Sequence, residues 1–265
     1  MNAGEIQKYW DNRAKQDKTG QATTNDVYMR QIEKREILAA IKQMPFKRGD
    51  RVVDIGCGDG MITGCVAEAL RECKVHVIGV DFSKGMIDKA KVLETENLSF
   101  MQFDITSGIL PLFDVLLEQV PVRFIYTTRC IINLQSWPDQ RKALINIRES
   151  LLAGGKFVMI ENFLVGQRNL NTLRVKYGLE SIPIRKHNKF LPGEHLAEFM
   201  RTYFELEGAV NISSSYYLAT RILYAKLCQL RGKVPDYFSD EHRLAIDLPY
   251  CGNYGPIYRL TWRAK

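Results

Sequence analysis

The chain has 265 residues, of which 46% are apolar and 25% are charged, and its formal net charge is +7. These values are typical of a globular protein with one large α/β domain, and no run of eighteen apolar residues predicts a transmembrane helix. The first residues are polar and lack the apolar core of a secretory signal, so we expect a cytoplasmic protein without a membrane partner.

The six cysteines stand apart from one another, and the sequence contains no Cys-x-x-Cys pair. Zinc sites usually use such pairs, so we expect no metal centre. The positive net charge alone allows a nucleic acid, an anionic surface or an acidic small substrate as the partner.

Apolar residues at helical spacing predict a first long helix over residues 26–43, ended by Pro45 and Gly49. From residue 50 to about 160, short apolar runs alternate with helical segments, which indicates parallel strands connected by helices. The predicted strands are 51–56, 74–81, 98–104, 122–129 and 156–161, and the predicted helices between them are 61–72, 83–94 and 139–152.

Beyond residue 161 the alternation stops, and residues 162–191 contain no clear long element. The later pattern predicts, in order, a helix over 192–206, a strand over 209–218, a helix over 220–230, a loop rich in Pro and Gly, and a last strand over 257–264.

A glycine-rich turn, V-D-I-G-C-G-D-G from Val53 to Gly60, follows the first predicted strand. Glycines allow tight turning and leave room for a ligand against the main chain, and ligands of doubly wound sheets bind where the strands end. A dinucleotide fingerprint would need glycine at position 61, which is Met61, and no Gly-Lys-Ser/Thr of a phosphate loop follows. A plain strand-to-helix turn is the alternative interpretation.

Acidic residues end the next two predicted strands. Asp81 can accept hydrogen bonds from both hydroxyls of a ribose, and Phe82 and Met86 can form apolar walls for an adenine. Asp104 can accept the adenine amino group, with Ile105 packed on the ring. The alternative for Asp81 is a cap of the following helix.

Together these motifs resemble the class I S-adenosylmethionine-dependent methyltransferases over residues 50–161. Residues 127–134 resemble the fourth motif of that family, and 151–157 resemble its Leu-Lys-Pro-Gly-Gly turn, with Ala153 in place of the proline. Residues 110–121, between the third and fourth motifs, form a longer stretch than usual, and the start of the fourth strand stays open. Residues 9–11, Y-W-D, resemble a helix that closes over the cofactor; a plain amphipathic helix docked on the core is the alternative.

The resemblance implies S-adenosyl-L-methionine as the cofactor, with the glycine turn near its methionine part, Asp81 at its ribose and Asp104 at its adenine. The implied cofactor residues are Tyr9, Asp54, Gly56, Cys57, Gly58, Asp81, Phe82, Met86, Asp104, Ile105 and Arg129.

The same resemblance implies an α/β, Rossmann-like fold with a seven-stranded, mostly parallel sheet and helices on both faces. We expect one continuous domain in three parts. Residues 1–48 would form an N-terminal helical lid, 49–161 the cofactor-binding core, and 162–265 the rest of the sheet with insertions that cap the substrate.

The segment 166–190 is strongly basic. Its cations are Arg168, Arg174, Lys176, Arg185, Lys186 and Lys189, against the single acid Glu180. If this segment caps the pocket, it favours an acceptor with a phosphate, carboxylate or nucleotide group. A solvated basic loop is the alternative interpretation.

Two residues are candidates for catalysis. His187 is a candidate general base because histidine titrates near neutral pH, although a hydrogen-bonded loop histidine would look the same. Glu161 ends the fifth predicted strand and could orient a hydroxyl or ammonium group. The candidate substrate-binding residues are Tyr28, Asn133, Arg174, Asn188 and Tyr217.

The motifs around Glu161, 170–174, 186–188 and 214–221 also resemble bacterial methyltransferases of glycan and natural-product pathways. That resemblance implies methyl transfer to a hydroxyl or amine of a small polar acceptor, such as a sugar, a nucleotide-sugar or a natural-product intermediate. Two alternatives stay open. One is a peptide side chain or an RNA as acceptor, although the chain has no RNA-binding module or basic-aromatic stripe. The other is a cofactor-binding partner protein without turnover.

Overall fold

Seven strands form a single sheet in the computed structural model, which describes residues 1–17, 22–111 and 122–265. The sheet order is β3-β2-β1-β4-β5-β7-β6. Strands β1 to β5 pair in parallel, whereas β7 lies antiparallel between β5 and β6. The strands are β1 (Arg51–Ile55), β2 (His76–Asp81), β3 (Leu98–Gln102), β4 (Val122–Thr128), β5 (Leu151–Asn162), β6 (Phe204–Asn211) and β7 (Ile257–Ala264). The predicted seven-stranded, mostly parallel sheet is confirmed.

Helices surround this sheet in the described ranges. They are α1 (Ala3–Gln16), α2 (Val27–Lys42), α3 (Met61–Leu70), α4 (Lys84–Ala90), α5 (Trp137–Ser150), α6 (Leu164–Lys176), α7 (Gly193–Tyr203), α8 (Ser214–Tyr217), α9 (Ala225–Leu230) and α10 (Asp240–Ala245), with a π-helical segment (Leu218–Tyr224) between α8 and α9.

The apolar core has two halves, one on each face of the sheet. Successive residues of a strand point to opposite faces, so Val52 packs with α2 and α3, whereas Val53 packs with α5 and α7. Parallel strands covered on both faces read as continuous apolar runs, and this is why β1, β2 and β4 could be predicted from the sequence.

The C-terminal third departs from the sequence-based prediction in one long helix. Helix α6 occupies the region in which we expected no clear element. The sequence pattern does not predict it because its buried face consists of Gly166, Gln167 and Leu170 and not of an apolar stripe. Gln167 can be buried because its side-chain amide donates to the Ile182 carbonyl at 2.6 Å.

Several boundaries also differ. In place of the predicted strand over 209–218, β6 begins at Phe204, inside the predicted helix over 192–206, and ends at Asn211. The serines that follow turn into α8, and their hydroxyls bond to the backbone of residues 249–257. Strand β5 begins at Leu151, inside the predicted helix over 139–152 and five residues before the predicted strand over 156–161. Most of the long stretch that left the start of the fourth strand open, from 112 to 121, lies outside the described residues.

The carboxyl ends of β1, β2 and β4 meet at one edge of the sheet. The chain runs outward in opposite directions from β1 and β4, which leaves a crevice between the loops that follow these strands. Across the described ranges, no helix is long and apolar enough to cross a bilayer. In the same ranges, no cluster of three His, Cys, Asp or Glu side chains could hold a metal.

Candidate active site

A cavity of about 420 Å³ lies at this edge of the sheet. Pockets that bind small molecules usually have volumes of about 300 to 1,000 Å³. One end is walled by the residues that follow β1, β2 and β3, and the other end by the C-terminal third of the chain. Of the predicted site residues, those that line the cavity are Asp54, Gly56, Cys57, Gly58, Asp81, Phe82, Met86, Asp104, Ile105, Arg129, Asn133, His187, Asn188 and Tyr217.

The glycine turn after β1 brings the main chain to the cavity wall. Gly56 and Gly58 have φ values of 76° and 55°, a region that residues with a side chain rarely adopt. A Cβ atom on Gly56 would lie 2.5 Å from the Sγ of Cys130, and one on Gly58 would lie 2.5 Å from the Thr23 methyl group. The turn therefore requires glycine for its conformation and for its space.

Asp81, at the end of β2, is held by the backbone. One carboxylate oxygen accepts from the Gly58 amide at 3.0 Å, and the other accepts from the Ser83 amide at 2.9 Å. Each oxygen of an ionised carboxylate has a second lone pair, so both can still accept from a ligand. Burial raises the pKa of Asp81 to about 6.

Asp54 lies deeper than Asp81. Its carboxylate accepts from the Thr63 hydroxyl at 2.7 Å, and burial raises its pKa to about 7. The contact ties the end of β1 to α3, and so fixes the two sides of the glycine turn.

The end of the cavity near β3 has a mainly apolar wall. Met86 and Ile105 are buried there, beside Phe82 and Phe103. Asp104 is exposed at the rim, and one of its oxygens accepts from the amide and the hydroxyl of Thr106. Its second oxygen can accept from the amino group of a flat ring held between these walls.

Helix α1 closes one side of the cavity, with Ala3, Ile6 and Trp10 as its inward face. The spacing of three and four residues places these side chains on one side of the helix. The Asp11 carboxylate accepts from the Ser83 hydroxyl at 2.6 Å and from the Gly85 amide at 2.9 Å, so it holds α1 on the start of α4.

Helix α2 carries a row of buried charges beside the cavity. Asp26, Arg30 and Glu33 lie on one face of the helix and line the cavity. Each has a partner from a different part of the chain: Asp26 pairs with Arg221 of the π-helical segment, Arg30 with Asp59 of the glycine turn, and Glu33 with Arg129 after β4.

The far end of the cavity combines planar polar groups with aromatic rings. The polar side chains include Asn133, Asn162, Gln167 and Asn188, and the rings include Trp10, Tyr217 and Tyr237. Within the described ranges, the buried Oδ1 of Asn162 and Oγ1 of Thr128 have no hydrogen-bond partner.

His187 lies under helix α1. Its ring stacks on Tyr9, with 4.4 Å between the ring centroids, and meets Trp10 edge to face at 5.5 Å. Burial, together with the nearby positive charges of Arg185 and Arg13, lowers the pKa of His187 to about 4. The imidazole is therefore neutral at physiological pH.

Glu161 does not reach the cavity wall. Its carboxylate is fully buried and accepts from the backbone amides of Cys130 and Ile131 at 3.0 Å and of Ile132 at 3.4 Å. It shapes the loop after β4, which itself lines the cavity. This geometry fits a positioning residue better than the substrate-orienting residue that we predicted.

Three further predicted residues lie outside the cavity wall. Tyr9 packs against the rings of His187 and Trp10, and these two rings line the cavity. Tyr28 packs against the core. Arg174 donates to the backbone carbonyls of Glu180 and Arg221. Of the six cations in segment 166–190, Arg185 alone is among the residues that line the cavity.

Sequence reasoning missed Trp10, the charged face of α2, and Arg221 with Tyr237. Trp10 stands inside the Y-W-D motif, in which we chose its neighbour Tyr9. The α2 charges are spaced by four and three residues, and that spacing could have indicated a buried face. Tyr237 lies in a loop with no periodic pattern and gave no local signal.

Comparison with known proteins agrees with this geometry. Residues 46–174 match the family described as a methyltransferase domain. The trans-aconitate 2-methyltransferase of Deinococcus radiodurans is 31% identical over 121 residues, which are 46% of this chain and 40% of that protein. The chain spans between 33% and 58% of the length of the first curated relatives it matches.

Solved structures of low sequence identity share the fold over nearly the whole chain. A methyltransferase from Anabaena variabilis has a TM-score of 0.61 at 14% identity, and the match covers 100% of this chain and 96% of that one. The N-methyltransferase NodS from Bradyrhizobium japonicum, crystallised with S-adenosyl-L-homocysteine, has a TM-score of 0.57 at 10% identity, with 98% of each chain covered.

Residues 46–174 match a methyltransferase domain. The fold of the chain is the Rossmann-like fold of class I S-adenosylmethionine-dependent methyltransferases, shared with the two solved structures over nearly its whole length. The cofactor of that family is S-adenosylmethionine, and the cavity has the glycine turn, the strand-end carboxylate and the apolar wall that such a nucleoside requires.

Proposed function

We propose that the protein transfers a methyl group from S-adenosylmethionine to a hydroxyl or amine of a small polar acceptor, such as a sugar, a nucleotide-sugar or a natural-product intermediate. The observation that carries this proposal is the continuity of the cavity. The nucleoside-binding residues, Gly58 and Asp81, and the polar far end at Asn162 line the same 420 Å³ space. When bound, S-adenosylmethionine supplies an activated methyl group on a sulfonium sulfur.

The chain's own residues would mainly bind and align. Asp81 would accept hydrogen bonds from the ribose, and Asp104 from the adenine amino group, while the glycine turn leaves room for the methionine part. The lid helix, fixed through Asp11, would exclude water from the reacting groups. Alignment of this kind can supply most of the rate enhancement in a displacement reaction.

The polar side chains that line the far end of the cavity, Asn133, Gln167 and Asn188, support an acceptor that forms hydrogen bonds. Hydroxyl and amine groups do so. Three of the four arginines on the cavity wall, Arg30, Arg129 and Arg221, are already paired with carboxylates, so these three do little to favour an anionic acceptor.

Arg185 is the exception among these cations. It is exposed at the rim of the cavity and has no acid partner among the described residues. An acceptor with an anionic group would place that group near Arg185, outside the polar far end.

We propose that His187 acts as a neutral imidazole that accepts a hydrogen bond, and in turn the proton, from an acceptor hydroxyl. Its low pKa makes it a weak base, so its contribution to the rate would be modest, on the order of a hundredfold. If His187 is the base, kcat/KM falls on the acidic side with an inflection near pH 4, and His187→Ala removes both that inflection and the corresponding rate. An unchanged turnover in His187→Ala would remove the base from the mechanism.

The proposal is tested by calorimetry and by turnover. S-adenosylmethionine should bind with one-to-one stoichiometry, and Asp81→Ala should weaken that binding, while Asp88→Ala, an exposed acid on α4, should leave it unchanged. Release of S-adenosylhomocysteine should then be measured against a panel of sugars, nucleotide-sugars, amines, peptides and RNA. Turnover with RNA alone, falling steeply with added salt, would contradict a small acceptor. Tight cofactor binding without turnover on any acceptor of the panel would contradict an enzyme of this substrate class.

A further inference from the structure

An apolar strip lies exposed along the C-terminal helices. Leu223, Leu227 and Leu230 are 49%, 46% and 72% exposed, and their spacing of four and three residues places them on one face of the π-helical segment and α9. The opposite face is buried through Ile222, Ala225 and Cys228. We call Leu223, Leu227 and Leu230 the leucine face.

Further exposed apolar side chains flank the leucine face. The Gln229 side-chain amide donates to the Gly178 carbonyl at 2.9 Å, so the end of α6 lies beside α9 and brings Val175 and Tyr177 to the same surface. Val234, 88% exposed, follows in the next loop. Single exposed apolar residues are normal, but a set of this size gathered on one surface usually marks a binding surface.

Along α6, the π-helical segment and α9, the border of the leucine face is basic, and the acids Glu180 and Asp236 follow just beyond these segments. Residues 162–179 and 212–234 contain no Asp or Glu, and their exposed or half-exposed cations include Lys176, Lys226, Arg231 and Lys233. The Lys226 ammonium donates to the amide oxygen of Gln229, and no carboxylate lies within ion-pair distance of any of these four cations in the described ranges. An apolar helix face bordered by unpaired cations fits the surface of an anionic bilayer, which takes up the leucines and attracts the cations.

We propose that the leucine face and its basic border dock on an anionic lipid bilayer. This proposal departs from our sequence-based expectation of no membrane partner, and docking of this kind needs no spanning helix. The segments behind the docked face line the far end of the cavity: Arg221, two residues before Leu223, and Tyr237, one residue before the exposed Phe238, both contribute to its wall. Docking would place on the membrane the segment that closes the acceptor end of the cavity.

The test is co-sedimentation of the full chain with vesicles of phosphatidylcholine, with and without phosphatidylglycerol. We expect binding to the anionic vesicles that exceeds binding to neutral vesicles by about tenfold or more, and that weakens with added salt. Leu227→Glu/Leu230→Glu should abolish it. Leu206→Glu is the matched control, because Leu206 is 48% exposed on β6, away from the leucine face.

A second pair of variants separates charge from apolar contact. Arg231→Gln/Lys233→Gln should reduce binding to the anionic vesicles, whereas Lys142→Gln, an exposed cation on α5, should not. Affinity for S-adenosylmethionine, measured on the same variants, should stay at the wild-type value, so a failure of docking is distinguishable from a failure of the proposed function. The proposal would be overturned if the wild-type protein did not bind anionic vesicles. It would also be overturned if Leu206→Glu reduced binding as much as Leu227→Glu/Leu230→Glu. Binding of equal strength to neutral vesicles would overturn it too.

Discussion

The guanidinium of Arg129 is held by the carboxylate of Glu33: Nε lies 2.8 Å from Oε1, and Nη2 donates to Oε2 at 3.0 Å. Glu33 is fully buried on α2, and Arg129 follows β4 with a φ of 53°, which is uncommon for a residue with a side chain. The ion pair offsets the cost of that conformation and holds the loop after β4 at the cavity wall.

We predict that Glu33→Gln destabilises the protein by about 3 kcal/mol, because it leaves the charge of Arg129 without its partner in a buried site. Urea unfolding measures the loss, and S-adenosylmethionine affinity should fall with it. Glu36→Gln is the control: Glu36 lies on the same helix and pairs with Arg259, and neither residue lines the cavity. Its stability should fall while cofactor affinity is retained. Equal loss of affinity in both variants would show that α2 acts only through general stability.

The contact between α1 and α4 gives a second prediction, which tests whether α1 is a lid. Asp11→Ala removes both hydrogen bonds that hold α1 on the start of α4, and bonds to a charged acceptor contribute about 1.5–3 kcal/mol each. We expect S-adenosylmethionine affinity to fall about tenfold or more and trypsin to cleave α1 faster. Lys8→Ala, at an exposed position of the same helix, should change neither. A variant of Asp11 with full affinity would show that α1 is not a lid.

The pKa of Asp81 predicts how cofactor affinity depends on pH. Burial raises this pKa to about 6, and the ionised carboxylate is the form that accepts two hydrogen bonds from a ribose. Affinity should therefore fall as the pH drops through about 6. Asp81→Asn should bind more weakly at neutral pH and lose this dependence. The same inflection in Asp81→Asn would assign it to another group, such as Asp54, whose pKa is about 7.

The raised pKa of Asp81 also makes stability depend on pH. Stability should fall as the pH rises, whereas cofactor affinity should increase. In the unfolded chain Asp81 loses its proton at lower pH than in the folded protein, so its contribution lowers the free energy of unfolding as the pH rises toward 6. Urea titrations of wild type and Asp81→Asn between pH 4 and 7 measure that difference. A free energy of unfolding of the wild type that rises relative to Asp81→Asn as the pH increases from 4 to 6 would contradict the raised pKa.

Glu161 distinguishes a positioning role from a catalytic one. Glu161→Gln puts an amide N–H₂ among three backbone donors, and we expect a loss of stability of about 2–4 kcal/mol, with turnover falling only in proportion to the folded fraction. Thermal unfolding and kcat on the same sample provide the test. A stable Glu161→Gln protein that binds the cofactor normally and turns over a hundredfold more slowly would restore Glu161 as a catalytic residue.

The cofactor end of the site was predictable because its signals are local. The glycine turn, Asp81 and Asp104 each follow a buried strand, and the order of parallel strands brings strand ends to one edge. Arg129 lines the cavity, but its partner Glu33 lies 96 residues away, and no local pattern links the two.

The acceptor end was predictable only in part. His187, Asn133, Asn188 and Tyr217 do line the cavity, yet the basic segment that we expected to cap it contributes Arg185 alone among its cations. Helix α6 was missed because polar pairing, as at Gln167, replaces the apolar stripe that periodicity detects. Which charges are paired depends on contacts between distant segments, as for Arg221 and Asp26.

The most direct measurement is a crystal structure of the protein soaked with S-adenosylhomocysteine. The ribose hydroxyls should lie within hydrogen-bond distance of the Asp81 carboxylate, and the adenine should lie between Met86 and Ile105 with its amino group toward Asp104. A nucleoside bound elsewhere, or bound in this cavity with its sugar and base away from Asp81 and Asp104, would contradict the assignment of the site.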